Sequence, residues 1–179
     1  MDKKLNLSKI IWFTGLSGTG KSTLSNSIYK KLIEKKYKVK KIDGDTFRKK
    51  KKNINNFSKK NIIMNNLNII KEVEKIQKKF HYILISVISP FSQTRKFARK
   101  KFKTNYFEVN VLCNLNTLIR RDTKGLYKKA IDNKIRNLIG FKSGIKYQKS
   151  NYRVIKINTD KLSVQSSVKK ILIVKGIMR

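Results

Sequence analysis

The sequence predicts an α/β fold, a three-layer αβα sandwich around a mainly parallel central sheet of about five strands. Three observations predict it. Short β-rich apolar runs alternate with segments of helical period along the whole chain, the pattern of a parallel sheet with helices on both faces. The run His81–Ile88 is continuously apolar, as in a strand buried on both faces. Between the first strand and the first helix stand Gly15-Leu16-Ser17-Gly18-Thr19-Gly20-Lys21-Ser22, followed by Thr23. That is G-x-x-x-x-G-K-S, so the sandwich is of the P-loop NTPase type.

The elements follow in order. Lys9–Thr14 reads as the first strand, and Lys21–Lys36 as a helix with Leu24, Ile28, Leu32 and Ile33 on one face. Val39–Ile42 is a short second strand, and Asp43-Gly44-Asp45 after it is read as a tight turn. Lys49–Asn56 reads as a charged, flexible connection. Ser58–Lys79 is helical, with Ile62, Ile63, Leu67, Ile70, Val73 and Ile76 at mostly helical spacing. After His81–Ile88, the sole proline, Pro90, ends the strand, and Ser92–Phe102 forms a basic helix. Tyr106–Leu112 is the fourth strand, followed by a short helix near Asn116–Arg121. The segment from 122 to 151 is basic, contains Gly125, Gly140 and Gly144, and shows no strong period. It is too long for an ordinary connection and reads as a mobile lid. Tyr152–Ile157 is a fifth strand and Ser163–Val174 a closing helix. Residues 1–179 read as one domain, the lid included.

Composition narrows the function classes. No apolar run is long enough to span a bilayer. One cysteine, Cys113, excludes an intramolecular disulfide and fits the cytoplasm. It ends an apolar strand and reads as a buried, inert thiol. The net charge is +35, from 45 basic and 10 acidic residues. The charge is spread from end to end, and no aromatic residues interleave with it as a stacking platform for nucleic acid needs. Abundant Lys, Asn and Ile are together the mark of A/T-rich codons, so the charge reads as compositional rather than as a nucleic-acid footprint.

The glycine-rich loop specifies chemistry. Its glycines let successive N–H groups turn inward as an anion nest, and the following helix adds its positive end. Lys21 reaches the β- and γ-phosphates of a nucleoside triphosphate, and the Ser22 hydroxyl ligates Mg²⁺. Asp43 and Asp45 fall at the same carboxyl edge of the sheet, where ligands of such folds bind. One carboxylate holds the metal and the other takes the proton of an acceptor hydroxyl, with the assignment open. Arg48 reads as a contact to an anionic acceptor.

These residues resemble one family. Trp12 to Thr23, Asp43-Gly44-Asp45-x-x-Arg48, Phe57-Ser58, Ile88-Ser89-Pro90-Phe91 with Arg95, and Arg121-Asp122-x-Lys124-Gly125-Leu126-Tyr127-Lys128-Lys129-Ala130 are similar to the motifs of adenylylsulfate (APS) kinases, in their order and spacing. The resemblance implies transfer of the ATP γ-phosphoryl group to the 3′-hydroxyl of APS, giving PAPS and ADP in sulfate activation, with Mg²⁺ and a homodimeric enzyme. It implies ATP phosphates on Gly15, Leu16, Ser17, Gly18, Thr19, Gly20, Lys21, Ser22 and Thr23, with Arg121 beside the ATP. Lys21, Asp43, Asp45 and Ser89 are the implied catalytic group, and Ser22, Asp43 and Asp45 the metal group. Arg48, Phe57, Asn65, Ile88, Ser89 and, in the lid motif, Arg136 would bind APS, with Phe57 stacking on its adenine. Ser89 matches a family serine described as a phosphoserine intermediate. Its other reading is a strand-end hydroxyl that contacts substrate, since no base stands beside it in sequence.

The chain departs from the family pattern at several positions. Ile62 stands where the family has an arginine that grips the acceptor, Thr46 where it has Asn, and Lys49–Lys52 where it has a His-Gly-Leu-Asn-type stretch. The lid motif Lys-x-Phe-Thr-Gly reads Arg136-Asn137-Leu138-Ile139-Gly140, so an aromatic that sandwiches adenine is Leu138. The ATP half therefore reads as intact and the acceptor half as altered. Two alternatives follow: a related P-loop kinase with another small-molecule hydroxyl acceptor, or a nucleotide- or nucleic-acid-binding protein that has lost catalysis.

Charge of one sign on this scale destabilises the folded state through self-repulsion that salt screens. Raising monovalent salt from about 10 mM to about 1 M shortens the screening length from about 30 Å to about 3 Å. The melting temperature is expected to rise across that range, as a thermal melt followed by circular dichroism would record.

Overall fold

The computed structural model describes residues 7–50 and 58–173. Five strands form one sheet in the order β2-β3-β1-β4-β5, and every neighbouring pair is parallel. The strands are β1 (Lys9–Thr14), β2 (Val39–Asp43), β3 (Tyr82–Ser86), β4 (Tyr106–Leu112) and β5 (Ile155–Asn158). The helices are α1 (Lys21–Glu34), α2 (Gly44–Lys50), α3 (Lys59–Ile76), α4 (Ser92–Phe102), α5 (Leu115–Arg121), α6 (Leu126–Ile131) and α7 (Val164–Ile173). No helix among the described residues is long and apolar enough to cross a membrane.

The continuous apolar runs became central strands. β1 lies between β3 and β4, and Ile10, Ile11, Trp12 and Phe13 have no exposed surface. Successive residues feed opposite faces. Ile11 and Phe13 pack with Leu24, Ile28 and Leu32 of α1 and with Val168 and Ile171 of α7. Ile10 and Trp12 pack with Ile69, Ile70 and Val73 of α3 and with Ala98 and Phe102 of α4. Ile33, placed by its spacing on the inner face of α1, is 43% exposed; the buried stripe is the i, i+4 row Leu24, Ile28, Leu32.

Three boundaries differ from expectation for physical reasons. Asp43-Gly44-Asp45 is the entry to α2 rather than a tight turn: Asp43 Oδ1 accepts from the N–H groups of Asp45 (3.0 Å) and Thr46 (3.2 Å), capping the helix. Glycine is required there by close approach, since a Cβ on Gly44 would sit 2.5 Å from a methyl of Val87. The charged connection expected at 49–56 falls on the end of α2 and then outside the described residues. The fifth strand begins at Ile155 rather than Tyr152, because the Tyr152 hydroxyl leaves the sheet to bond Glu108 and Arg99 covers its ring at 4.5 Å.

The segment from 122 to 151 is largely exposed but anchored at a few buried points. Tyr127, Ala130 and Leu138 are buried with Leu118, and Leu16 of the P-loop joins that cluster. Its far end is tied down by a buried ion pair. Arg95 Nε and Glu108 Oε1 lie 3.2 Å apart, with side chains 1% and 2% exposed. Arg95 also donates to the carbonyls of Ser89 and Gln148, and the Ser150 hydroxyl donates to Glu108 at 2.6 Å. Removing one partner strands the other charge in the core. Arg95→Leu is therefore expected to lower unfolding free energy by about 3–5 kcal/mol, read from urea denaturation.

Candidate active site

All five strands end at one edge, and the loop after β1 opens there. Gly15, Gly18 and Gly20 take φ values of 150°, 76° and 90°, a region that other residues enter at a cost. Gly15 also passes so close to β4 that a Cβ would lie 2.2 Å from the Val111 carbonyl oxygen. The loop is braced from within: the Thr19 hydroxyl donates to the Leu16 carbonyl at 3.0 Å. The Tyr127 hydroxyl donates to the Ser17 carbonyl at 3.0 Å.

Lys21, the first residue of α1, is 9% exposed, and its Nζ donates to the Leu16 carbonyl at 2.6 Å. Burial, helped by the nearby charge of Lys124, pulls its pKa down from 10.5 to about 8, against Asp45 and Asp43, which act to raise it. A cation held this way calls for an anion.

A cavity of about 330 Å³ opens over the loop, lined by Gly18, Gly20, Lys21 and Ser22, by Asp43, Asp45 and Lys124, and by Arg121, Thr159 and Leu162. The two aspartates part company here. Asp43, with one oxygen on the α2 cap, accepts from the Ser22 hydroxyl at 3.0 Å through the other. Asp45 binds Arg48 through one oxygen and Lys124, at 2.5 Å, through the other. Desolvation pushes the Asp45 carboxyl up, but the hydrogen bond and charge of Lys124, with Arg48 and Lys21, prevail and hold it below the usual carboxylate range.

A second, narrower cleft adjoins the first. Arg48, Asn65, Asn66, Ile62 and Ile139 line it, and it shares Asp45, Val87 and Ile88 with the larger cavity. Asp45 thus stands where the two spaces meet. Arg48, Asn65 and Ile88, expected at the acceptor, line this cleft. Arg136 is exposed and lines neither space, and Phe57 lies outside the described residues.

Ser89 departs from its expected place. It is fully buried, its hydroxyl pairs with Thr94 Oγ1 at 3.3 Å, and it lines neither space. Leu138 is 6% exposed beneath the 122–151 segment with Tyr127, Ala130 and Leu118, so it supports the fold there rather than offering a face to a base. Ile62 is packed with Phe91 and Ile139. An apolar contact between α3 and the segment's tip thus occupies the position of a charged grip. Cys113 is half-buried rather than buried; burial and the Asp160 carboxylate, 3.2 Å away, push its thiol pKa up.

The sequence reading did not assign three residues of the site. In the sequence Lys124 reads only as lid, although it lies three residues beyond Arg121, which lines the same cavity. Thr159 donates to the Thr19 carbonyl (3.2 Å) and accepts from Arg121 (3.2 Å); its signal was a polar Asn-Thr-Asp run directly after a strand. Asn66 was an amide on an otherwise apolar helical stripe.

A family model of adenylylsulphate kinases matches residues 7–157. The chain belongs to the adenylylsulfate kinase family. It is 35% identical over 155 residues to a probable adenylyl-sulfate kinase of Archaeoglobus fulgidus, covering 87% of this chain and 98% of that one. It is 38% identical over 153 residues to a probable adenylyl-sulfate kinase of Pyrococcus abyssi, covering 86% of each. Among solved structures, the Mycobacterium tuberculosis APS kinase CysC in complex with AMPPNP and APS superposes with a TM-score of 0.81 at 30% identity, over 93% of this chain and 96% of that one. The family's chemistry is ATP-dependent phosphoryl transfer to an alcohol group, in sulfate activation.

The lowered Lys21 pKa predicts proton linkage. Without phosphate, Lys21 loses its proton above about pH 8; a bound triphosphate favours the charged form and raises that pKa. Nucleotide binding is therefore expected to take up little proton at pH 7 and close to one proton per site near pH 9. Isothermal titration in buffers of different ionisation enthalpy measures this, and Lys21→Met should abolish the uptake.

Proposed function

We propose that this chain transfers the γ-phosphoryl group of ATP to the 3′-hydroxyl of APS, forming PAPS and ADP. The observation that carries the reading is the meeting of two spaces at Asp45: a phosphate cavity built on the P-loop and a cleft lined by Arg48 and Asn65. Phosphoryl transfer demands little covalent help from a protein beyond alignment and charge. The loop amides and Lys21 hold the β- and γ-phosphates. The Ser22 hydroxyl and Asp43 carboxylate, 3.0 Å apart, are hard oxygen donors of the kind Mg²⁺ takes. When bound there, Mg²⁺ neutralises charge on the phosphate oxygens. Asp45, ionised through the neutral range, accepts the hydrogen bond of the attacking hydroxyl and aims it along the line of transfer. Lys124 and Arg48 keep Asp45 in place and add positive charge beside the transferring group. Arg121 and Thr159, with Leu162, border the rest of the nucleotide.

This reading includes a single cytoplasmic domain in which residues 122–151 close over the nucleotide, and a homodimer, which rests on the family resemblance. The apolar wall of Ile62 and Ile139 favours one second reading, the same transfer to another alcohol acceptor.

A coupled assay of ADP release decides between them. APS is expected to raise ADP release well above the acceptor-free rate, and above other hydroxyl compounds; no rise with APS overturns the assignment. Lys21→Ala and Asp45→Asn should each lower kcat by roughly 100-fold or more with circular dichroism unchanged. Near-normal rates in either would show that the chemistry lies elsewhere.

A further inference from the structure

Asn66 interrupts the buried stripe of α3 formed by Ile62, Ile69, Ile70 and Val73. It is 1% exposed. Its Nδ2 donates to the Ile62 carbonyl at 2.8 Å and to the Ile88 carbonyl at 3.3 Å. Both partners can only accept, so they fix which end of the amide is nitrogen and which is oxygen. The oxygen, Oδ1, has no hydrogen-bond partner among the described residues and no open surface, and the cleft beside it encloses only about 10 Å³, so a ligand reaches it only as the cleft widens. Asn66 lines the acceptor cleft with the apolar side chains of Ile62, Ile88 and Ile139 and with Arg48 and Asn65, neither of which donates to Oδ1.

The two Nδ2 bonds by themselves make a staple between α3 and the end of β3. They leave the oxygen unused, and a buried amide oxygen without a donor is costly and uncommon in folded proteins. A ligand that brings an N–H or O–H into the cleft removes that cost. A ligand without one leaves the oxygen desolvated and unpaired, which is how a polar group in an apolar wall discriminates strongly.

We propose that Asn66 Oδ1 is a specificity-determining hydrogen-bond acceptor for the phosphoryl acceptor, pairing with one of its N–H or O–H donors other than the reacting hydroxyl. The inference rests on the APS kinase reading. In APS the donors that fit this chemistry are the 6-amino group of the base and the ribose 2′-hydroxyl. The charged grip absent at Ile62 is thus replaced, one helical turn further along α3, by a neutral contact that reads a donor rather than an anionic group.

The test is steady-state kinetics of wild type and Asn66→Ala with three acceptors: APS, its analogue lacking the 6-amino group, and its 2′-deoxy analogue. Wild type is expected to lose roughly tenfold in kcat/KM on one analogue, which identifies the donor. Asn66→Ala should not distinguish that analogue from APS, and its KM for ATP should stay within about twofold of wild type. Asn66→Leu, apolar and of similar size, serves as the second variant where loss of the staple prevents Asn66→Ala from folding. Equal kcat/KM for all three acceptors in wild type overturns the inference, as does discrimination that survives in the variant. Absence of APS turnover by wild type overturns the underlying reading as well. Normal APS turnover with unaltered discrimination removes this inference alone.

Discussion

Everything at the site depends on β1 being a central strand buried on both faces. A strand in that position cannot fray, so the loop that leaves it starts from a fixed point and a fixed direction. The loop must then clear β4, and only a glycine at 15 passes the Val111 carbonyl. The polar atoms of the turn lie too deep for water to serve them freely, so the chain serves them itself. Lys21 bonds the Leu16 carbonyl, Thr19 bonds it too, and Tyr127 bonds that of Ser17. The same interactions that satisfy the backbone hold the loop in shape before any phosphate arrives, which is what preorganisation means for a phosphate site.

The segment from 122 to 151 is coupled to this loop through packing. Leu16 joins two apolar clusters, one with Tyr127 and Leu138 and the other with Ile62 and Ile139. A Cβ on Gly140 would lie 2.5 Å from a Leu16 methyl, so segment and loop are in close contact. Farther on, the Tyr147 hydroxyl pairs with Thr14 and accepts from the Ser89 N–H at 3.3 Å, and Arg95 holds the Gln148 carbonyl. Movement of the segment would therefore disturb the ends of β1 and β3.

Five of the ten acidic residues tie parts of the fold together. Asp43 caps α2 and holds Ser22; Asp45 gathers Arg48 and Lys124. Asp122 accepts from the Tyr127 and Lys128 N–H groups at the start of α6, and Asp160 from the Asn114 N–H at the start of α5. Glu108 is shared by Arg95, Ser150 and Tyr152. In a chain of net charge +35, each of these five anions sits where cations or backbone N–H groups converge on it, most of them at the carboxyl edge of the sheet.

The strands, most helices and the phosphate loop were legible in the sequence because they rest on short-range physics. An apolar run of strand length, a 3.6-residue stripe and a glycine pattern each carry their reason within a few residues. What the sequence left open was decided by contacts between distant residues. Asp43 and Asp45 stand two apart and look alike, yet Ser22 claims one and Lys124 and Arg48 the other. Ser89 reads as a strand-end hydroxyl that contacts substrate, but Thr94 holds its hydroxyl and Arg95 its carbonyl in a buried scaffold. Ile62 reads as a lost grip, and only its packing against Phe91 and Ile139 shows what it does instead. The sequence by itself determined the sandwich, the triphosphate loop and the family. The tertiary structure alone decided which polar atoms are spent on the fold and which remain for substrate, because that depends on partners that chain order does not reveal.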